Sequence, residues 1–152
     1  MIVHGHGFKS STTTAASLIM RLDGNSGSNY ASKTQWSDTT ATSTEAGNTA
    51  QTSLSFDGTT TQSYLTSSAG RGSSFVAQIL NYSATGTGEQ NTVKQVQWSM
   101  AKGAASGPGG YVIGFGHYNQ STAAAIASIS FVSSSATNTI NASATVSIYG
   151  VI

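Results

Sequence analysis

The sequence lacks cysteine and has few charged residues. Only 7% of its 152 residues are Asp, Glu, Lys or Arg, against about 25% in an ordinary globular domain. The absence of cysteine excludes disulfide bonds and thiolate metal sites. Six basic residues against five acidic ones give a net charge of +1, which is too small to attract nucleic acid or an acidic membrane surface. We therefore expect no nucleic acid partner.

Long apolar runs are also missing. No stretch approaches the ~20 apolar residues that a membrane-spanning helix needs, so the sequence predicts no membrane insertion. Met1–Lys9 lacks the apolar centre of a secretion signal. The chain has the length of one domain.

In place of charged residues the chain has Ser, Thr, Asn, Gln and 17 Gly. Apolar and polar residues alternate with a period of two in many short segments, and no segment has a convincing period of 3.6. Turn-forming clusters such as Asp23–Tyr30 and Ala101–Gly110 separate these segments. The pattern predicts an all-β fold, an antiparallel, jelly-roll-like β-sandwich. The expected strands are Ser17–Leu22, Gln35–Thr42, Thr52–Phe56, Ser63–Thr66, Ser74–Ser83, Thr92–Met100 and Tyr111–Tyr118, with a loop at Thr44–Asn48.

Two of these strands show their faces clearly. Alternation in Thr92–Met100 places Val96, Trp98 and Met100 on one apolar face, which predicts a core position for Trp98. In Tyr111–Tyr118 the large side chains share one face, and the glycines Gly114 and Gly116 fall on the other. Glycines in a strand often mark a close approach of another group to the backbone.

The C-terminal stretch reads as two strands joined by a short polar turn. Alternation runs through Ala125–Val132 and again through Ala142–Tyr149, with Ser133–Asn138 between them. Since loose termini fray, we expect the last strand to be held inside a sheet. At the other end, residues 1–15 are predicted to form an N-terminal arm, and residues 16–152 a single sandwich domain.

Three stretches stand out by their order along the chain: Leu18–Tyr30, Tyr111–Tyr118 and Thr145–Ile152. Together they resemble tailed-phage virion structural proteins of the jelly-roll-like kind. Leu18–Tyr30 (LIMRLDGNSGSNY) is similar to the strand and turn "fNGDtGsNY" of that group. Tyr111–Tyr118, with AIASISF after it, resembles a later segment, and Thr145–Ile152 (TVSIYGVI) resembles the "sLYGi" ending. The chain departs from the pattern at Asp23-Gly24-Asn25 and at Ile148. The resemblance implies a particle protein, attached to heads as a decoration or fibre protein or to tails as a fibre module.

The residues that could carry chemistry have simpler explanations. His4 and His6 have the spacing of a metal-binding pair, but no third ligand is evident. Asp23 and Asp57 each precede a glycine and fit turns. Glu45 and Glu89 lie in polar segments, and no Gly-x-Ser-x-Gly elbow is present. We predict a protein that is not an enzyme and that has no cofactor and no metal.

The preferred function is therefore structural. The resemblance implies a capsid decoration, or cement, protein on the virion surface that binds the major capsid protein. We expect a homo-oligomer, a trimer, because assembly hides apolar strand faces in a chain with so few charges. The attachment residues are predicted in the arm, at Ile2, Val3 and Phe8. The alternative is a displayed adhesin or fibre domain that binds host glycans, with Trp36 and Tyr30 as the contacts. Aromatic residues otherwise fill the core or a subunit interface.

Overall fold

The chain forms two antiparallel sheets that pack face to face, which confirms the predicted all-β sandwich. This computed structural model describes residues 1–12, 16–37, 43–56, 71–86, 88, 92–103, 109–137 and 139–150. The strands are β1 (Ile2–Phe8), β2 (Leu18–Leu22), β3 (Tyr30–Ser37), β4 (Ser43–Gln51), β5 (Leu54–Ser55), β6 (Ser73–Ile79), β7 (Val93–Ala101), β8 (Tyr111–Asn119), β9 (Ile129–Ser133) and β10 (Thr145–Tyr149). The seven-stranded sheet has the order β10-β1-β6-β7-β8-β3-β4, and the three-stranded sheet has the order β5-β2-β9.

The core lies between the two sheets and is rich in aromatic rings. On β7, Val96, Trp98 and Met100 are all buried, as their alternation predicted. Phe56 follows β5, and its ring centroid lies 4.7 Å from that of Phe75 and 5.5 Å from that of Trp98. Tilted ring contacts at these distances add to the stabilisation that burial itself provides.

Two glycines make room for the largest of these rings. Gly5 pairs with Phe75 across β1 and β6, and a Cβ atom at Gly5 would lie 2.1 Å from the Phe75 ring. Gly114 pairs with Trp98 across β8 and β7, and a Cβ atom there would lie 2.1 Å from the indole Cε2. The close approach predicted for Gly114 is therefore confirmed, and the ring of each aromatic covers its neighbouring strand.

The N-terminal residues form a strand of the large sheet, so the prediction of a separate arm over residues 1–15 is corrected. Strand β1 lies between β10 and β6 and pairs with both. Val3 and Phe8 are buried in the core. Glycine lowers strand propensity in isolation, but Gly5 admits the Phe75 ring and Gly7, at φ 74°, lies where the register with β6 shifts. Here tertiary packing overrides local propensity.

The two C-terminal strands are placed in different sheets. β9 pairs with β2 in the small sheet, whereas β10 pairs with β1 in the large one. The polar segment after β9 therefore crosses between the sheets, and Ile140 bridges to Ser10 on the way. Among the described strands β10 is the outermost of its sheet and pairs with β1 alone, so the prediction that it is held inside a sheet was wrong.

Most of the remaining strand predictions overlap observed strands, but the one at Gln35–Thr42 overlaps β3 at residues 35–37 only, because β3 begins at Tyr30. A loop prediction was also wrong. The segment predicted as a loop at Thr44–Asn48 belongs to β4, which pairs along β3 at the sheet edge. The strand predicted at Ser63–Thr66 lies outside the described residues.

Candidate functional site: the outer face of the large sheet

The seven-stranded sheet has one face against the core and one against solvent, and we call the solvent side the outer face. In an antiparallel pair, residues directly opposite each other lie on the same side of the sheet. The buried residues of β7 and β8 therefore identify the inner side, and the alternate residues form the outer face. Its central members on the three strands β6, β7 and β8 are Val76, Gln78, Gln95, Gln97, Ser99, Tyr111, Ile113, Phe115 and His117.

Large apolar side chains lie exposed along this face. On β8, Tyr111 is 54% exposed, Ile113 44% and Phe115 60%, and on β6 Val76 is 42% exposed. The three residues of β8 follow one another at alternate positions, so their side chains form a continuous ridge. Soluble monomers seldom expose contiguous apolar surface of this kind unless it binds something.

The ridge faces outward because the glycines of β8 take the inner side. A Cβ atom at Gly114 would collide with Trp98, and one at Gly116 would lie 2.6 Å from Leu54 Cδ2. The core therefore fills the space over each glycine with a side chain from another strand. Alternation in the sequence identified the two faces of β8 correctly but could not tell which one meets the core.

Uncharged polar residues surround the ridge. Gln97 lies opposite Phe115, and its Nε2 donates a short hydrogen bond to Gln78 Oε1 on β6. Ser99 lies between Val76 and Ile113 in register. An apolar centre with a hydrogen-bonding surround is typical of protein interfaces.

Charge is almost absent from this surface. On the described residues of β10, β1, β6, β7, β8 and β3, Lys33 is the only Asp, Glu, Lys or Arg on the outer face; it lies opposite Phe115. One cation gives little attraction for a polyanion. The electrostatics of the face from β10 to β3 therefore favour a neutral partner.

Two shallow depressions flank the ridge. The first, of about 510 Å³, is lined by Lys33, Gln95, Gln97, Phe115 and His117 among others. The second, of about 580 Å³, is lined by residues of β1, β6, β7 and β8 that include the two histidines of the N-terminal strand. Both are open to solvent along the sheet. They therefore suit contact with a broad protein surface better than the binding of a small molecule, which needs an enclosed site.

The histidine pair lies on the outer face, at the β1 end. His6 Nδ1 is 2.8 Å from Ser74 Oγ, and the ring of His4 contacts Tyr149 edge-on at 5.4 Å between centroids. Within the described part of the chain, no group of three or more His, Asp or Glu residues could hold a metal ion. Asp57 and Glu89 lie outside the described residues.

Asp23 has a structural role that its sequence context did not reveal. The sequence suggested a local turn, and the residue does adopt a left-handed backbone with φ 54°. Its Oδ1 atom, however, accepts the main-chain N–H groups of Ala127 at 2.7 Å and Ser128 at 3.0 Å. This carboxylate therefore connects the turn after β2 to the segment that leads into β9.

The predicted glycan contacts are not on the outer face. Tyr30 is buried and its ring stacks on that of Tyr118 at 4.8 Å. The Tyr30 hydroxyl accepts the N–H of Leu22 at 2.9 Å and lies 3.1 Å from the Leu22 carbonyl, to which it can donate. Trp36 is half-buried and packs against the core. The alternation of β3 turns both rings inward, because each pairs with an inward residue of β8.

The predicted attachment residues are likewise part of the sandwich. Val3 and Phe8 are buried, and Phe8 contacts Phe75 at 5.2 Å between ring centroids. Ile2 is half-buried and lies on the outer face, opposite Gln78 and Tyr149. Val3 and Phe8 are therefore not available to a partner in the folded chain, and only Ile2 lies near the exposed surface.

Two buried titratable groups, Tyr30 on β3 and Lys94 on β7, have shifted pKa values. Burial raises the pKa of Tyr30 to about 12, against the opposing effect of the hydrogen bond with Leu22. Burial also lowers the pKa of Lys94, whose Nζ donates to the Ala84 carbonyl at 2.7 Å. Both side chains point into the protein, so their perturbed pKa values belong to the core.

The described residues contain no helix long and apolar enough to cross a membrane. Comparison with protein-family models, curated proteins and solved structures finds no match to this chain.

Proposed function

We propose that this chain is a structural subunit of a virus particle, a tailed-phage capsid decoration protein that binds the major capsid protein through the outer face of its large sheet. The observation that carries the proposal is the exposed ridge of Tyr111, Ile113 and Phe115. The resemblance of the sequence to virion structural proteins supports the type of particle. The sequence predicted that an N-terminal arm binds the capsid. Since Val3 and Phe8 are core residues, we assign the capsid contact to the outer face instead.

The composition of the face fits a protein partner. A stable interface has an apolar centre, a polar surround and few charges, and the outer face has each of these. Burial of one Phe or Ile side chain contributes about 1.5–3 kcal/mol. Several copies attached to one capsid surface would add further strength by multivalency. The trimer remains a prediction.

The test uses purified protein and capsids that lack it. Phe115→Ser combined with Ile113→Ser should reduce capsid occupancy after sedimentation by at least tenfold, since a loss of about 1.4 kcal/mol is already a factor of ten. Ala125→Ser, at an exposed alanine away from the outer face, is the matched control and should bind like the wild type. Circular dichroism and the melting temperature establish that each variant is folded.

Two results would overturn the proposal. The first is equal occupancy of the double variant and the wild type, which would place the contact elsewhere. The second is the absence of the protein from particles, tested by labelling intact virions with an antibody against the chain under the electron microscope.

A second candidate is the adhesin, and the exposed rings on β8 favour it. Phe115 presents an exposed ring opposite Gln97, and Tyr111 presents one opposite Ser37 on β3. Aromatic rings combine an apolar face with nearby hydrogen-bonding groups in recognition sites. The contacts would then be these residues in place of Trp36 and Tyr30. Glycan-array binding that is lost in Tyr111→Ala would support the adhesin, and an array without signal would remove it.

A further inference from the structure

Strand β10 forms an open edge of the large sheet. It pairs with β1 on one side, and among the described residues no strand pairs with it on the other. All five of its residues, Thr145–Tyr149, are exposed. An exposed edge strand presents unpaired N–H and C=O groups that can pair with another chain.

The hydrogen-bond pattern of the sheet shows which groups point to this open edge. Ile79 N–H donates to the Met1 carbonyl at 2.9 Å, and the Met1 amine donates to the Ile79 carbonyl at 3.0 Å. In an antiparallel pair, hydrogen-bonded and non-hydrogen-bonded positions alternate. Since Val3 follows Met1 by two residues and pairs with Ala77, Val3 also directs its main chain toward β6.

The same alternation then continues across β1. His4, one residue after Val3, directs its N–H and C=O toward β10, where it pairs with Ser147. Ser147 therefore directs its main-chain groups back toward β1. Its two neighbours, Val146 and Ile148, direct theirs to the open edge.

The side chains of these two residues are also uncovered. Val146 pairs with Gly5 and Ile148 with Val3, so both lie on the inner side of the sheet. Even so, Val146 is 43% exposed and Ile148 is 54% exposed. Natural edge strands are usually protected by a charged residue, a proline or a bulge, but residues 142–150 contain no charged residue and no proline.

We propose that β10 pairs antiparallel with β10 of a second copy of this chain, on a two-fold axis at Ser147. In this register Val146 of each copy lies opposite Ile148 of the other. Val146 of one copy and Ile148 of the other then exchange both main-chain hydrogen bonds, because their N–H and C=O groups are the ones that point to the open edge. The large sheets of the two copies become one continuous sheet.

A second copy fits this edge better than an unrelated segment because the strand is complementary to itself. The apolar side chains of Val146 and Ile148 meet each other across the axis on the inner side, and Thr145 meets Tyr149 on the outer side. No like charges are brought together, because the strand has none. A two-fold contact of identical surfaces closes after two copies, so it leads to a dimer where the sequence predicted a trimer.

The absence of cysteine allows a direct test of this register. Directly opposite residues at a non-hydrogen-bonded position lie about 4.5 Å apart between Cα atoms, within the range that a disulfide spans. Ser147→Cys should therefore give a disulfide-linked dimer in high yield under mild oxidation. Thr145→Cys is the matched control: its two copies would lie roughly 14 Å apart, four residues along the strand, too far to be bridged.

The mass of the protein in solution gives the second measurement. Light scattering or sedimentation equilibrium should give twice the 15.5 kDa of one chain for the wild type. Val146→Lys with Ile148→Lys should give a folded monomer, because it places charges opposite one another at the edge. Dissociation without unfolding is checked by circular dichroism.

The dimer is tested independently of the proposed capsid contact, because its measurements use purified protein alone. A monomeric wild type at about 0.1 mM, far above the Kd of a μM contact, would overturn the inference. So would a trimer, or equal cross-linking of the Ser147→Cys and Thr145→Cys variants.

Discussion

The contact of Trp98 with Gly114 gives the sharpest test of how this core is built. In the native chain the indole lies over the glycine backbone, and its Nε1 donates to the Phe56 carbonyl at 3.2 Å. In Gly114→Ala the new Cβ would lie 2.1 Å from Cε2 and 2.2 Å from Cζ2 of the indole. Both atoms belong to a rigid ring, so the whole ring has to move.

Three contributions determine the expected change in stability, two of them unfavourable and one favourable. Overpacking of a dense core costs typically about 1–3 kcal/mol. If the displaced indole leaves its N–H unpaired, a further loss of about 1–3 kcal/mol follows. Alanine restricts the unfolded chain and returns about 0.4–1 kcal/mol, since Gly114 is not among the glycines with a positive φ. The net destabilisation is about 3 kcal/mol, or a fall in Tm of about 6–12 °C.

The assay is thermal and urea unfolding followed by circular dichroism and tryptophan fluorescence. The companion variant is Trp98→Leu, which removes the ring and opens space over residue 114. If the collision is the cause, Gly114→Ala should cost much less in the Trp98→Leu background than in the wild type. Equal costs in both backgrounds, or a Tm within 2 °C of the wild type for Gly114→Ala, would refute the reasoning.

Four further outcomes follow from the described contacts. Deletion of residues 1–9 should abolish cooperative folding, since it removes a strand that pairs on both sides; a truncated chain with native circular dichroism would contradict this. Asp23→Ala should lower stability by about 2 kcal/mol through the loss of two charge-assisted hydrogen bonds, with Asp23→Asn, which keeps one acceptor oxygen, intermediate in urea unfolding. Because the pKa of Tyr30 is raised to about 12, the unfolded state loses this proton first, so stability should fall between pH 10 and 12 by on the order of 3 kcal/mol, and Tyr30→Phe should flatten that decline. Because burial lowers the pKa of Lys94 below its ordinary value of 10.5, the folded state binds fewer protons, so stability should rise with pH as the pH approaches 10.5 from below; a Lys94→Met protein that keeps the same slope would show that another group is responsible.

The sequence identified the fold class and much of the core. Alternation gave the strands at Leu18–Leu22 and Val93–Ala101 to within two residues, and it placed Trp98 inside. These results depend on side-chain period, which is a local property of the chain. The glycines of β8 were likewise recognised as sites of close approach, because the absence of a side chain is itself a sequence feature.

The candidate site was not visible in the sequence. Period-two alternation divides Tyr111–Tyr118 into two faces, but either face could have met the core. The choice depended on Trp98 and Leu54, which occupy the space above Gly114 and Gly116. Both are far from β8 in the chain, so their positions follow only from the assembled sheets.

The sequence by itself therefore determined the class of structure, the low charge of its surfaces and the absence of cysteine chemistry. Only the tertiary structure decided which strands are neighbours. It made a strand paired on both sides of the N-terminal residues, which the sequence predicted as an arm, and it made an open edge of Thr145–Tyr149, which the sequence predicted inside a sheet. The physical reason is that strand pairing is a long-range contact, fixed by how the ring of Phe75 fits over Gly5 and by how the two sheets close around the aromatic core.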